Sequence, residues 1–208
     1  MKKYRDHYFL KAKQESYPAR SIYKLKEIAK RFSVFKPNMK VLDLGAAPGS
    51  WSLGAAAMVG EKGSILGADI QFTSTTFPPN VTFIQEDVFN RSAAFVAELA
   101  ARAPFDVVMS DMAPSTTGHR ATDQARSAAL CEEALDVAEE YLALGGSFIV
   151  KVFMGPDVKK LADAMRKTFT TVKSFKPQSS RSESMETFYI GLGFKGLPPH
   201  DPGGEPQA

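Results

Sequence analysis

Short apolar stretches rich in β-branched residues recur along the chain, and amphipathic stretches separate most of them. The short stretches predict β-strands, because their length and composition fit strands better than helices. The predicted strands are residues 39–44, 64–70, 81–85, 105–110, 147–153, 171–175 and 187–194. The predicted helices are residues 21–32, 50–58, 93–102, 122–142 and 156–169. Because strands and helices alternate, the pattern predicts an α/β fold built on a parallel, doubly wound sheet.

Capping and turn residues set the predicted boundaries of several elements. Ser21 has a side chain suited to capping the first helix. Gly145 and Gly146 are predicted to end the long helix at 122–142. Residues 71–80 are rich in proline and threonine, so we expect a loop or a single helical turn there.

The loop after the first predicted strand is the most distinctive segment of the chain. The strand carries Asp43 and stops at Gly45, and small residues lead to Gly49, where a helix follows. Glycines in such a turn let the backbone approach a ligand closely. The loop is not the dinucleotide pattern G-x-G-x-x-G, because Ala47 stands at its second glycine. The loop therefore suits a nucleoside ligand without a pyrophosphate, and S-adenosylmethionine is the first candidate; an ordinary strand–turn–helix is the alternative.

Acidic residues lie at the ends of four successive predicted strands, namely Asp43, Asp69, Asp87 and Asp111. Ligands of open α/β sheets bind outside the carboxyl ends of the strands, so these side chains should share one site. A single aspartate at a loop start is usually a cap, but four in succession favour a ligand. Asp69 is placed to bind ribose hydroxyls and Asp87 an adenine amino group, while Trp51 or Phe72 could supply an apolar wall.

Lys151 interrupts the apolar strand predicted at 147–153. A strand of a parallel sheet is buried on both faces, and an ammonium group there is costly unless it has a partner or loses its proton. Asp111, at the end of the adjacent strand, is the predicted partner. The alternatives are a structural ion pair and a strand end that reaches solvent.

The net charge of +3 is unevenly distributed. Residues 1–36 contain 11 basic and three acidic residues, which gives a balance of +8 and leaves −5 for the remainder. A basic arm on an acidic body predicts a polyanion contact surface, with nucleic acid as the first candidate and a solvated face as the alternative. Residues 1–16 are expected to order only against a partner.

Composition excludes several classes of protein. No apolar run approaches the roughly 18 residues that a membrane span needs, and no secretory signal is recognisable. The single cysteine, Cys131, rules out an intrachain disulfide and suits the cytoplasm. The three histidines lack ligand spacing, so no structural metal is predicted. We predict one domain over residues 1–196 and a disordered, Pro/Gly-rich tail at 197–208.

Motifs spread over the chain resemble the FtsJ-type ribosomal RNA ribose 2′-O-methyltransferases. The matching segments are Asp6-x-Tyr8, Lys11-Ala12, Tyr17, Arg20-Ser21-x-x-Lys24-Leu25-x-Glu27-Ile28, Asp43-Leu-Gly-Ala-Ala-Pro-Gly49-Ser-Trp51-Ser52, Ser110-Asp111-Met-Ala-Pro114, Val150-Lys151-Val-Phe153 and Ser180-Arg181…Ser184-x-Glu186. The resemblance implies a class I methyltransferase (Rossmann-like) fold, a mostly parallel seven-stranded sheet with the last strand antiparallel.

The resemblance also implies the site residues. A Lys-Asp-Lys-Glu tetrad falls on Lys24, Asp111, Lys151 and Glu186. S-adenosyl-L-methionine would be contacted by residues of the loop and of the strand ends. These are Asp43, Gly45, Pro48, Gly49, Trp51, Asp69, Asp87 and Asp111.

Two positions depart from the family pattern. Ser50 stands where the family often has a second glycine, and its small side chain should be tolerated. Glu183 and Glu186 both precede the last predicted strand. We favour Glu186 for the tetrad because it runs directly into that strand, with Glu183 as the alternative.

The implied reaction is methylation of a uridine 2′-hydroxyl in large-subunit ribosomal RNA, free or in the large ribosomal subunit, in the cytoplasm. A transfer RNA or another ribosomal position remains an alternative target. A binding protein that keeps the fold without catalysis would not need Lys151. A nicotinamide dehydrogenase would share the sheet and Asp69 but would need the G-x-G-x-x-G loop.

Overall fold

One seven-stranded sheet organises the protein, of which the computed structural model describes residues 7–181 and 183–197. The strands are β1 (Lys40–Leu44), β2 (Ser64–Asp69), β3 (Val81–Gln85), β4 (Phe105–Ser110), β5 (Leu142–Phe153), β6 (Phe169–Phe175) and β7 (Glu186–Phe194). Their order in the sheet is β3-β2-β1-β4-β5-β7-β6. The pairs among β1 to β5 are parallel, whereas β7 is antiparallel to both of its neighbours. The predicted fold class is confirmed.

Six helices cover the sheet in the described part of the chain. They are α1 (His7–Gln14), α2 (Ile22–Phe32), α3 (Ser50–Val59), α4 (Ala93–Arg102), α5 (Arg120–Tyr141) and α6 (Val158–Thr168). None is long and apolar enough to cross a membrane. Residues 71–78 contain neither helix nor strand, as the prolines and threonines of this segment predicted.

Two apolar layers bury the sheet, because successive residues of a strand point to opposite faces. In β1, Val41 packs with α2 and α3, whereas Leu42 and Leu44 pack with α4 and α5. All three side chains are fully buried. The sheet is therefore a rigid support for residues at its edges.

Residues 1–16 were expected to order only against a partner, and this expectation is wrong for α1. Ala12 is buried, and the Tyr8 ring lies 5.3 Å from the ring of Tyr23 on α2. The Lys11 ammonium group lies 5.0 Å from the same ring. These contacts order α1 against α2 because the interleaved aromatic residues supply apolar area that the basic composition concealed. Except for Leu197, the predicted tail lies outside the described residues.

Two predicted boundaries also differ from the structure. Ser21 precedes α2, but its side chain makes no capping hydrogen bond. The long helix ends at Tyr141, and Gly145 and Gly146 lie inside β5. They occupy a shift of register between β4 and β5, and Gly145 has φ +81°, which suits glycine.

Candidate active site

A cleft of 380 Å³ opens at the carboxyl ends of β1 to β4, where the strand ends lie level with one another. We call it the cofactor cleft. Asp69, Asp87 and Asp111 line it, as predicted from their positions in the chain. Most of its remaining walls are small or apolar side chains, among them Met112 and Leu130, and Gln71 and Glu86 add an amide and a further carboxylate. Its carboxylates, with no basic residue among the described residues that line it, suit a ligand rich in hydrogen-bond donors.

Gly45 forms part of the cofactor cleft and can be replaced only with strain. Its φ is +78°, and a Cβ atom there would lie 2.4 Å from Cγ of Met112. Both features require glycine, because a side chain would clash and would adopt an unfavourable backbone conformation. The peptide unit of Gly45 is therefore exposed to the cleft at close range.

Backbone hydrogen bonds fix two of the acidic side chains. One carboxylate oxygen of Asp69 accepts from the Ala47 N–H at 2.9 Å, and the other accepts from the Gln71 N–H at 2.8 Å. Asp87 accepts from the Phe89 N–H at 2.9 Å. A carboxylate has about four acceptor sites, so each can still bind donors of a ligand.

Four residues predicted to contact the cofactor do not line the cofactor cleft. Asp43 is fully buried behind the loop and accepts a hydrogen bond of 2.6 Å from the Ser52 hydroxyl. The Pro48 carbonyl accepts from two threonine hydroxyls, and a Cβ atom at Gly49 would lie 2.8 Å from the Phe77 ring.

Trp51, the fourth, supports the site from within the core rather than forming an apolar wall. Its side chain is 2% exposed, stacks on Phe188 at 5.7 Å and donates to the Ser21 carbonyl at 3.0 Å. It thereby joins the start of α3 to the start of α2. The other predicted wall, Phe72, is 74% exposed and does not line the cleft.

A second cleft, of 400 Å³, lies between the start of α2 and the segment before β7. We call it the substrate cleft. Lys24 and Glu186 line it together with Arg20, Arg181 and Glu183. Three cationic side chains and two carboxylates thus line this cleft, which offers a ligand both hydrogen-bond donors and acceptors with a small excess of positive charge.

Residues of the two clefts form two ion pairs, one of them with Lys151. The Lys151 ammonium group is 3.0 Å from the Asp111 carboxylate and also donates to the Asp111 carbonyl. The Lys24 ammonium group is 2.6 Å from the Glu186 carboxylate. The Lys24 and Glu186 side chains are 12% and 11% exposed, and Lys151 is buried. Of the two glutamates left open by the sequence, Glu186 is the one that pairs with Lys24.

The two pairs influence one another. Burial acts to raise the pKa of Glu186, but the charge and hydrogen bond of Lys24 outweigh it, and Lys151 adds to their effect. The pKa of Glu186 therefore lies below its ordinary value. β5 and β7 bring the pairs together, since Lys151 lies opposite Phe188, two residues after Glu186.

Several known proteins are similar to this chain over most of its length. The model of the FtsJ-like methyltransferase family matches residues 17–194. A ribosomal RNA large subunit methyltransferase E from Oleidesulfovibrio alaskensis is 71% identical over 198 residues, 95% of this chain and 96% of that protein. A protein of the same name from Lawsonia intracellularis is 60% identical over 195 residues, 94% of this chain and 98% of that protein.

This chain belongs to the FtsJ-like methyltransferase family. Among solved structures, a ribosomal RNA methyltransferase from Plasmodium falciparum matches with a TM-score of 0.75 at 26% identity, covering 86% of this chain and 100% of that chain. The resemblance seen in the motifs is confirmed, and so is the fold that it implied.

Glu27 supports the site of this family member, although sequence reasoning assigned it no role. Its two carboxylate oxygens accept from the backbone N–H groups of Gln178 and Ser179, at 2.7 and 2.9 Å. Glu27 lies one helical turn after Lys24, and the segment it holds leads to Glu186. The spacing of three residues, which places Glu27 near Lys24 on α2, was the available signal for this role. The two hydrogen-bond partners of Glu27 lie more than 150 residues away in sequence and could not be predicted.

Replacing Glu27 with alanine is expected to lower kcat about tenfold, with unchanged affinity for S-adenosylmethionine. The change releases the segment before β7 and loosens the geometry of Lys24 and Glu186. Glu27→Gln keeps one strong acceptor and should retain more of the rate. Steady-state kinetics and calorimetric titration measure both quantities, and equal kcat in Glu27→Ala and the unaltered protein would contradict the role.

Replacing Asp43 with asparagine is expected to change how stability depends on pH. Burial, assisted by the charges of Asp111 and Asp69, raises the pKa of Asp43 to about 7, although the Ser52 hydroxyl opposes this. The pKa in the unfolded chain is about 3.9. The folded state thus binds the proton more tightly, and stability from this group is complete below about pH 4 and lost as the pH rises through about 7.

Thermal unfolding between pH 5 and pH 8 tests this expectation. The unaltered protein should lose stability relative to Asp43→Asn across that range, by an amount on the order of a few kcal/mol. Glu61→Gln, at an exposed turn residue, serves as the control and should follow the unaltered protein. Parallel curves for Asp43→Asn and the unaltered protein would refute the role of Asp43.

Proposed function

We propose that this chain transfers a methyl group from S-adenosylmethionine to the 2′-hydroxyl of a uridine in large-subunit ribosomal RNA. Residues 1–196 act as one catalytic domain, in the cytoplasm. One observation carries the proposal: four charged side chains form two neighbouring ion pairs, and these pairs contribute residues to the two clefts. Asp111 lines the cofactor cleft, Lys24 and Glu186 line the substrate cleft, and Lys151 pairs with Asp111.

The residues of the cofactor cleft fit S-adenosylmethionine. Asp69 would accept hydrogen bonds from the ribose hydroxyls and Asp87 from the adenine amino group, while Met112 and Leu130 would contact apolar parts of the molecule. The acidic lining suits a ligand that carries a sulfonium and an amino group. Bound there, S-adenosylmethionine supplies an electrophilic methyl group.

Lys151 is the candidate general base. The 2′-hydroxyl of ribose is a weak nucleophile, so a group that accepts its proton promotes its reaction. As a base, Lys151 would accept this proton on its side-chain nitrogen, which the Asp111 carboxylate and carbonyl hold in place. Burial of Lys151 excludes water from the site of proton transfer.

Lys24 and Glu186 position the target ribose. Their ion pair forms one wall of the substrate cleft, where ribose hydroxyls meet both a donor and an acceptor. Arg20 and Arg181 in the same cleft supply positive charge for the phosphates on either side. The basic arm, residues 1–36, extends this attraction along the RNA.

The relatives support the choice of RNA. Both curated relatives described above are named as methyltransferases of the large ribosomal subunit's RNA, and this chain covers nearly all of each. A binding protein without catalysis would not require Lys151 in a buried strand. A dehydrogenase is disfavoured because Ala47 stands at the second glycine of the G-x-G-x-x-G loop, where the backbone approaches the pyrophosphate.

Methyl transfer can be measured directly with isotope-labelled S-adenosylmethionine. The acceptors are deproteinised ribosomal RNA, isolated large ribosomal subunits and transfer RNA, all from cells that lack this enzyme. We expect label in a 2′-O-methyluridine of large-subunit RNA. Label in transfer RNA alone would overturn the substrate, and bound cofactor without label in any acceptor would overturn the enzymatic function.

A further inference from the structure

A groove of 480 Å³ lies beside α1 and takes no part in the reaction proposed above. One wall is the face of α1 that carries Phe9, Ala12 and Lys13, whose spacing places them on one side of the helix. The opposite wall is formed by Leu53 of α3 and by threonines of the 71–80 loop. We call this cleft the α1 groove. Its size is that of a small-molecule site.

The α1 groove adjoins the substrate cleft. Ala19 and Arg20 line both, so the two clefts share this stretch of backbone as a common wall. An RNA strand whose target ribose lies against Lys24 therefore reaches the α1 groove with an adjoining nucleotide. The position of the α1 groove is therefore explained by the RNA substrate itself, without a second ligand.

The side chains of the α1 groove suit a nucleotide. Phe9 lines the groove and is 53% exposed, so its ring is available to stack on a base. The exposed Lys13 and the guanidinium group of Arg20 supply positive charge for a phosphate. The described residues that line the groove include no acidic residue, in contrast to those of the cofactor cleft.

Hydrogen bonds hold the walls of the α1 groove in place without a ligand. The Ala19 N–H donates to the Ser50 hydroxyl at 2.7 Å, which fixes the backbone at Ala19 to the start of α3. The Tyr17 N–H donates to the Ala12 carbonyl at 2.8 Å, and the Thr75 hydroxyl donates to the Pro48 carbonyl at 2.6 Å. A groove formed in advance binds its ligand with a smaller loss of entropy.

We propose that the α1 groove binds the nucleotide next to the methylated one, with its base stacked on Phe9 and its phosphate near Lys13. This inference rests on the proposed function, because it takes RNA as the substrate. It extends the proposed contact with RNA beyond Lys24, Asp111, Lys151 and Glu186.

Kinetics with the RNA acceptor test the stacking contact. Phe9→Ala should raise KM for RNA about tenfold, within the range found on loss of one base–aromatic stack, and leave kcat and cofactor affinity unchanged. Leu10→Ala is the matched control, because Leu10 is an exposed apolar residue on α1 that does not line the groove. An equal KM in these two variants would overturn the stacking contact.

The salt dependence of RNA binding tests the phosphate contact. Lys13→Gln should reduce the slope of log affinity against log salt concentration by about 1. Lys62→Gln is the control, since Lys62 is exposed in the turn before β2, at the amino end of that strand and not at the carboxyl ends where the cofactor cleft opens. Equal slopes for Lys13→Gln and Lys62→Gln would overturn the phosphate contact.

Photo-crosslinking tests the position of the nucleotide independently of activity. A benzophenone side chain in place of Phe9 should crosslink to a nucleotide within about two of the methylated uridine, whereas the same group in place of Leu10 should not. Crosslinks to a ribosomal protein or to distant nucleotides would overturn the proposal. If the unaltered chain methylates no RNA, the proposed function fails; normal methylation with unchanged KM and salt slope overturns the α1 groove alone.

Discussion

Replacing Lys151 with arginine is expected to lower the rate of methyl transfer by roughly a hundred- to ten-thousandfold, the usual contribution of a general base. Arginine keeps the positive charge beside Asp111, so the protein should fold and bind S-adenosylmethionine as before. It does not lose its proton in proteins and therefore cannot accept one from the ribose hydroxyl. Single-turnover methylation of RNA measures the rate, and calorimetric titration measures cofactor affinity.

Two further variants show whether proton transfer is what has been lost. Lys151→Met removes the charge as well and should be at least as slow, with an added loss of stability because the Asp111 carboxylate is left unpaired. Lys159→Met is the control, because Lys159 is an exposed lysine on α6, away from both clefts. A rate for Lys151→Arg close to that of the unaltered protein would show that Lys151 acts through its charge and not as a base.

Replacing Asp69 with alanine is expected to weaken binding of S-adenosylmethionine by about ten- to a hundredfold. The change removes an acceptor for the ribose hydroxyls, and a hydrogen bond to a charged group contributes about 1.5–3 kcal/mol. It also releases the Ala47 N–H, which Asp69 holds at 2.9 Å, so the loop after β1 loses a constraint. Titration of the cofactor into the protein without RNA measures the effect.

Asparagine at position 69 separates the two contributions. Asp69→Asn keeps an oxygen that can accept from Ala47 but loses the negative charge, so its affinity should fall between those of the unaltered protein and Asp69→Ala. Asp136→Ala removes an exposed carboxylate from α5 and should leave affinity unchanged. Cofactor affinity of Asp69→Ala equal to that of Asp136→Ala would remove Asp69 from the cofactor site.

The sequence was sufficient to predict those parts of the site that depend on strand order. Asp69, Asp87 and Asp111 lie together because parallel strands bring their carboxyl ends to one edge, and this follows from the alternation of strands and helices. Lys151 was recognisable because an ammonium group is costly inside a buried strand. Its pairing with Asp111 then followed from the adjacency of their strands.

Other parts of the site depend on contacts between distant segments, which no local pattern records. Trp51 lies close to the loop in sequence, but its ring is buried in the core because it stacks on Phe188 of β7. Glu27 looks like an ordinary surface residue of α2 until β6 and β7 bring the segment between them to it. The charge of residues 1–16 likewise concealed the packing of Ala12 and Tyr8 that orders α1.

The reversed direction of β7 decides from which side the protein can be tethered. β7 begins at Glu186, opposite Phe153 at the carboxyl end of β5, and its later residue Leu192 lies opposite Ser147. The chain therefore leaves the sheet after Phe194 at the edge away from both clefts. A linker, a fluorophore or a solid support attached beyond Phe194 would leave the RNA-facing edge unobstructed, whereas the same attachment near α1 would obstruct it.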